Sequence, residues 1–82
     1  MSIINNVKIL SQILLPELGE RQSMSLLLFY FYGRKTTASY LGISNLSVRD
    51  NIYRARKRLR AQHKIEDVEY LVISRMLENI ML

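Results

Sequence analysis

Apolar residues recur along most of this chain at spacings of three and four, the period of helices that bury one side. Ile3, Ile4, Val7, Leu10, Ile13 and Leu14 form the first such stripe, and Pro16 closes it. The residue before a proline is pushed out of helical geometry, so the pattern predicts an N-terminal helix within residues 1–15. Residues 20–32 repeat the pattern with Met24, Leu27, Leu28 and Phe31, while Leu26, Phe29 and Tyr30 make the opposite side apolar too. A helix of that kind needs cover on two sides, and the N-terminal helix packed on the core is the simplest second cover. Gly33 then stands where a helix C-cap is expected.

Residues 36–41 form a shorter helical stretch with Ala38 and Leu41 on one side, followed by Gly42, which permits a positive φ, and by Ile43, which returns inward. Ser44 is the expected N-cap of the next helix, because its hydroxyl can accept from orphan amides of the first turn. In that helix Val48, Ile52, Ala55 and Leu59 make one narrow apolar seam. On a helical projection the opposite face carries Leu46, Asp50, Tyr53, Arg54 and Lys57, flanked by Ser47, Arg49 and Arg60. Residues 61–64 read as a link. Residues 65–81 then place Val68, Leu71, Val72 and Met76 on one stripe and Ile73, Leu77 and Ile80 on another, with Glu66 and Asp67 suited to a first turn. Two stripes exceed what so small a core covers, which predicts a homodimer with Val68, Leu71, Val72 and Met76 at the interface. The competing arrangement has the N-terminal helix covering the second stripe within one chain.

Composition narrows the class. A chain of 82 residues sustains one hydrophobic core, and three Gly with one Pro are too few to punctuate a many-stranded sheet. The expected fold is all-α, a small bundle of four to five helices containing a helix-turn-helix. With no Cys there is no disulfide framework or thiolate metal site, and neither a metal nor another cofactor is expected. His63 is the one histidine, the serines have no evident base, and no glycine-rich phosphate loop occurs, so the chain does not read as an enzyme. Residues 1–15 lack a basic lead and a small-residue cleavage site, and polar residues interrupt them before Pro16. Neither a secretory signal nor a membrane span is expected, and the protein should be cytoplasmic and nucleoid-associated.

Charge supplies the functional clue. The net charge of +5 is concentrated: residues 34–64 hold nine Lys and Arg against Asp50 alone, while the rest of the chain is net acidic. A basic segment of that density points to a polyanion. It coincides with the spacing of Ala38, Gly42 and Val48, which suits a small contact residue, a turn residue and a locking residue of a helix-turn-helix.

From Leu41 to Ile52 the run Leu-Gly-Ile-Ser-Asn-Leu-Ser-Val-Arg-Asp-Asn-Ile resembles the LuxR/GerE type of helix-turn-helix domain, whose pattern there is Leu-x-Ile-Ser-x-x-Thr-Val-Lys/Arg-x-His-Ile/Val. The similarity runs on through Ala55, Leu59, Lys64, Glu66, Val68 and Leu71, and Arg21 with Gln22 look like a weakened form of the family's Arg-Glu start, so it spans about residues 18–76. Asn51 stands where the family commonly has His, and residues 33–38 are about two shorter than usual, a length closer to the Fis-like or sigma-factor promoter-reading domains. The resemblance implies a stand-alone transcription-factor domain over residues 18–82, with its third helix in the major groove and its last helix as dimer interface. Arg49, Asp50 and Tyr53 match the family's groove-facing positions.

The partner expected from these features is double-stranded DNA. Asn45, Leu46, Arg49, Asp50 and Tyr53 are the expected base contacts: Arg49 can donate two bonds to guanine, Leu46 can meet a thymine methyl, and Asp50 can hold Arg49 or Arg54 in place. Lys35, Thr36, Thr37, Tyr40, Ser47, Arg54 and Lys57 are the expected backbone contacts, which set register without reading sequence. The alternative is an anti-activator or adaptor that keeps the shape but grips RNA polymerase or another regulator, a use that the exposed Leu46 would suit. A membrane surface is not expected as partner, because the Val48–Leu59 seam is too narrow to insert.

Overall fold

The computed structural model describes residues 3–81. Met1 and Ser2, assigned by periodicity to the first helix, lie outside the described residues, as do the side chain of Ile3 and the terminal Leu82. Five helices follow one another: α1 (Ile3–Leu14), α2 (Glu20–Tyr32), α3 (Arg34–Leu41), α4 (Asn45–His63) and α5 (Val68–Met81). Among the described residues there is no strand, and the all-α bundle expected from the sequence is the fold observed.

The centre of the bundle is α2, whose residues 23–28 are all buried. It packs against α1, α3 and α4, and α5 closes the bundle against α1 and α4. The core joins Leu14, Leu15 and Leu18 to Leu26 and Leu27, to Ala38, to the α4 seam, and to Val68 and Val72 of α5.

The buried side of α1 is rotated from the stripe expected. Leu10 and Ile13 are exposed, together with Ile9, whereas Ser11 is fully buried beside Leu14, with Ile4 and Val7 half-buried. The reason lies across the interface, where Ser23 of α2 is also fully buried. Its hydroxyl accepts from Gln12 Nε2 at 2.9 Å and has the Ser11 hydroxyl at 3.2 Å and the Glu20 carbonyl at 3.0 Å. Two small residues let the helices approach closely and satisfy each other's polar atoms, which larger side chains at 10 and 13 could not do.

Local chemistry fixes the turns. Gly33 adopts φ 86° and donates its N–H to the Phe29 carbonyl at 2.9 Å, ending α2. Its own carbonyl then accepts from the Thr37 amide and, at 2.7 Å, from the Thr37 hydroxyl, so α3 begins at Arg34 rather than at residue 36. Gly42 sits in the left-handed region at φ 66°, and the Ile43 amide reaches back to the Ala38 carbonyl at 3.1 Å. Ser44 caps α4 by accepting from the Ser47 amide at 3.0 Å. The helix continues to His63, and Lys64 supplies its left-handed cap at φ 54°, so the link is 64–67 rather than 61–64. Asp67 accepts from the Tyr70 amide and acts as N-cap of α5, while Glu66 lies in the link rather than in a first turn.

One ionic clasp ties the bundle across its length. Glu17, in the connection between α1 and α2, accepts two bonds from the guanidinium of Arg75 on α5 and one contact from His63 at the end of α4. Arg75 also donates to the Leu14 carbonyl at 2.9 Å. His63, expected to be solvated, is therefore engaged with the body of the protein. Hydrogen bonding from Arg75 holds the Glu17 carboxyl at about 2, well below its usual value of 4.5.

A folded pKa below the unfolded one stabilises at pH values above the unfolded pKa, and that gain disappears as pH falls through the folded value. We expect Glu17→Gln to cost on the order of 2–3 kcal/mol at neutral pH in urea unfolding. The gap between wild type and variant should narrow from about pH 5 downward and close near pH 2; a gap independent of pH would show that the carboxylate charge is not what the clasp uses.

Candidate nucleic-acid interface

The geometry of α4 follows from its seam. Val48, Ala55 and Leu59 are fully buried and Ile52 nearly so, pressed against α2 and α3. With Ala38 buried on α3 and the Gly42 turn between them, α3 and α4 form a helix-turn-helix in which the far side of α4 has no cover from this chain. Asn45, Leu46, Ser47, Arg49, Asp50, Tyr53, Arg54 and Lys57 are all exposed on it, as is Arg58, which the sequence reading did not single out. Leu46 and Tyr53 are 58% and 64% exposed, values that leave two large apolar groups free for contact.

Among the described residues, Arg49, Arg54, Lys57 and Arg58 take part in no ion pair. Asp50 bonds neither Arg49 nor Arg54, so the supporting role expected of it is not formed in this state; all three side chains project into water. The result is an unneutralised positive surface around a polar and apolar centre. Arg34 and Lys35 extend it onto the exposed start of α3.

The expected backbone contacts divide. Lys35, Arg54 and Lys57 are exposed, and Thr36 is half-buried. Tyr40 is exposed at the edge and packs its ring against Tyr32 at 5.6 Å in an edge-on arrangement. The Ser47 hydroxyl is exposed but accepts from Ser44 at 3.0 Å. Thr37 is a correction: its side chain is fully buried and its hydroxyl is committed to the Gly33 carbonyl, so it starts α3 from within rather than facing a phosphate. The signal was present in the sequence, since a Thr four residues after a helix-ending Gly is placed to bond back to it.

The expected dimer stripe is corrected too. Val68 and Val72 are buried in the core of this one chain, and Leu71 and Met76 are half-buried against it. The outward stripe is Tyr70, Ile73, Leu77 and Ile80, and α1 does not cover it: Ile80 is 77% exposed and Tyr70 72%. Beside Ile73 the stripe runs into an apolar groove of about 240 Å³ bordered by Tyr30, Phe31 and Met76.

Two α4 side chains that sequence reasoning passed over point inward. Asn51, at the position where the resembled family has His, donates to the buried Ser25 hydroxyl of α2 at 3.3 Å. Arg56 pairs with Glu69 of α5 at 2.5 Å, and its guanidinium lies 5.6 and 5.8 Å from the ring centres of Phe29 and Tyr30. Burial pushes the Tyr30 phenol above its usual value. A +8 segment gives no hint that one of its arginines faces the interior.

No family model, curated protein or solved structure matches the chain. Among the described residues no group of acidic, histidine or cysteine side chains could hold a metal ion, and no helix is long and apolar enough to cross a membrane.

Thr37→Val removes the buried hydroxyl at nearly constant volume. It should cost about 1 kcal/mol in chemical denaturation by orphaning one bond of the Gly33 carbonyl. The variant should keep whatever polyanion affinity the wild type has; a selective loss of that affinity with unchanged stability would return Thr37 to the contact surface.

Proposed function

We infer that this protein is a sequence-specific double-stranded DNA-binding regulator of transcription that reads the major groove with the exposed face of α4. The observation carrying the reading is the coincidence, on one uncovered helix face, of unpaired Arg49, Arg54, Lys57 and Arg58 with the hydrogen-bonding and apolar groups of Asn45, Asp50, Tyr53 and Leu46. Cations without protein partners offer phosphates a counterion-releasing contact, and a helix mounted by a narrow seam leaves most of its circumference free to enter a groove. The local resemblance of residues 41–52 to LuxR/GerE-type domains leads to the same reading.

The regulator acts as a homodimer through the outward stripe of α5. Tyr70, Ile73, Leu77 and Ile80, with Phe31 beside them, offer roughly 500 Å² of exposed apolar surface, and a polar rim would bring this near the ~800 Å² per partner of a standard interface. A two-fold dimer would read half-sites about one helical turn apart. The second reading is an adaptor that uses Leu46 and Tyr53, both more than half exposed on α4, to grip RNA polymerase or another regulator.

Selection from random duplex DNA separates the two readings: an imperfectly palindromic motif supports the regulator, and failure to enrich any motif supports the adaptor. On the selected site, Arg49→Ala should lower discrimination against random DNA by roughly 10- to 100-fold, the worth of one bidentate base contact. If a dimer neutralises about six phosphates, log K should fall with log salt at a slope near −5.

Leu77→Glu places a charge in the proposed interface without disturbing the core. It should yield a folded monomer by analytical ultracentrifugation, with affinity for the two-half-site duplex reduced at least tenfold. A wild type that is monomeric at high concentration would overturn the dimer.

A further inference from the structure

The seam that mounts α4 is one column wide, and one of its four members is Ala55. Such a contact resists lifting the helix away but resists rolling it about its own axis only weakly. Reading bases needs the roll fixed. A helix with side chains has a radius of about 5–6 Å, so a roll of about 20° carries a side-chain tip through about 2 Å, enough to break a bidentate hydrogen bond.

Two polar ties bracket the seam from opposite sides. On a projection with Val48 at zero, Asn51 falls about 60° to one side and Arg56 about 80° to the other. Asn51 reaches Ser25 of α2 at 3.3 Å. Arg56 is the stronger tie, joining three elements: its guanidinium pairs with Glu69 of α5 and lies over the Phe29 and Tyr30 rings of α2. With its side chain only 27% exposed, it is poorly placed to meet a phosphate. Partly burying a cation costs desolvation, and replacing such a pair with apolar groups is often neutral for stability, so what the pair contributes is direction rather than strength.

We propose that Arg56 is a positioning residue that fixes the axial roll of α4 through Glu69, Phe29 and Tyr30, and so sets base discrimination without touching DNA. The inference rests on the DNA-reading assignment for its consequence, but its structural half stands apart from it. Arg56 differs from its neighbours Arg54, Lys57 and Arg58 in kind: they supply charge to the open face, and it supplies alignment from behind.

The test uses the full chain with Arg56→Met, Arg56→Lys and Glu69→Gln, and Lys57→Met as an open-face comparison. Without DNA, amide resonances in Arg56→Met and Glu69→Gln should move along α4 as far as residues 46–53, with melting temperatures near that of wild type. With DNA, Arg56→Met should lose about tenfold in the ratio of selected to random duplex affinity while its salt slope stays at the wild-type value; Arg56→Lys, which keeps a cation beside Glu69 and the rings, should retain most of the ratio. Lys57→Met should show the reverse, a slope shallower by about 0.9 with the ratio kept. A shallower slope for Arg56→Met would make Arg56 a phosphate contact and overturn the proposal. So would amide changes confined to the surroundings of residue 56, or a large fall in melting temperature that Arg56→Lys does not restore. If the wild type binds no duplex, the DNA reading fails, and the resonance shifts alone still decide whether Arg56 sets the roll.

Discussion

The structure depends on the burial of one side of α4 against α2 and α3. Val48, Ile52, Ala55 and Leu59 are the apolar side chains that a nineteen-residue helix gives to the core, and everything else on it is left to water or to polar ties. Because the seam is narrow, the helix presents a broad exposed surface; because Gly42 and Ser44 end one helix and begin the next within three residues, that surface is held at a fixed place relative to α3. The positive face is thus a by-product of how little of α4 the core needs.

Around this arrangement the other helices have separable tasks. The central α2 is buried over six consecutive residues and offers a wall to α1 on one side and to α3 and α4 on another. The paired serines at 11 and 23 let α1 sit close to that wall. On α5 one stripe completes the core and the other faces outward, while Glu69 and Arg75 connect it to α4 and to the α1–α2 connection. Charges of opposite sign are used as fasteners inside the bundle, and the unpaired ones are gathered on α4.

Periodicity and turn chemistry made the helices, the Gly33 and Gly42 turns, the Ser44 cap and the α4 seam legible in the sequence, because each is a local matter of spacing or of one residue's backbone preference. What it could not settle were choices between two similar stripes. On α1 and α5 more than one apolar face satisfies a helical period, and the decision came from the partner surface: Ser23 drew Ser11 inward, and the Val68–Val72 side fitted the core where the Ile73–Leu77 side did not. Thr37 and Arg56 escaped for a related reason. A polar residue in a basic segment reads as exposed until something buried is found to receive it, here the Gly33 carbonyl and the Glu69 carboxylate.

The Glu17–Arg75 bond joins residues 58 positions apart, farther in sequence than any other side-chain bond described above. Most contacts in a bundle of consecutive helices are near in sequence and close small loops, so they can assemble early at little entropic cost. A bond that closes nearly the whole chain forms late, after α2, α3 and α4 have met. Its strength then falls mainly on the rate of opening rather than on the rate of assembly. The carboxylate works as a latch on the finished bundle, holding α5 in place once the helix-turn-helix has already taken shape.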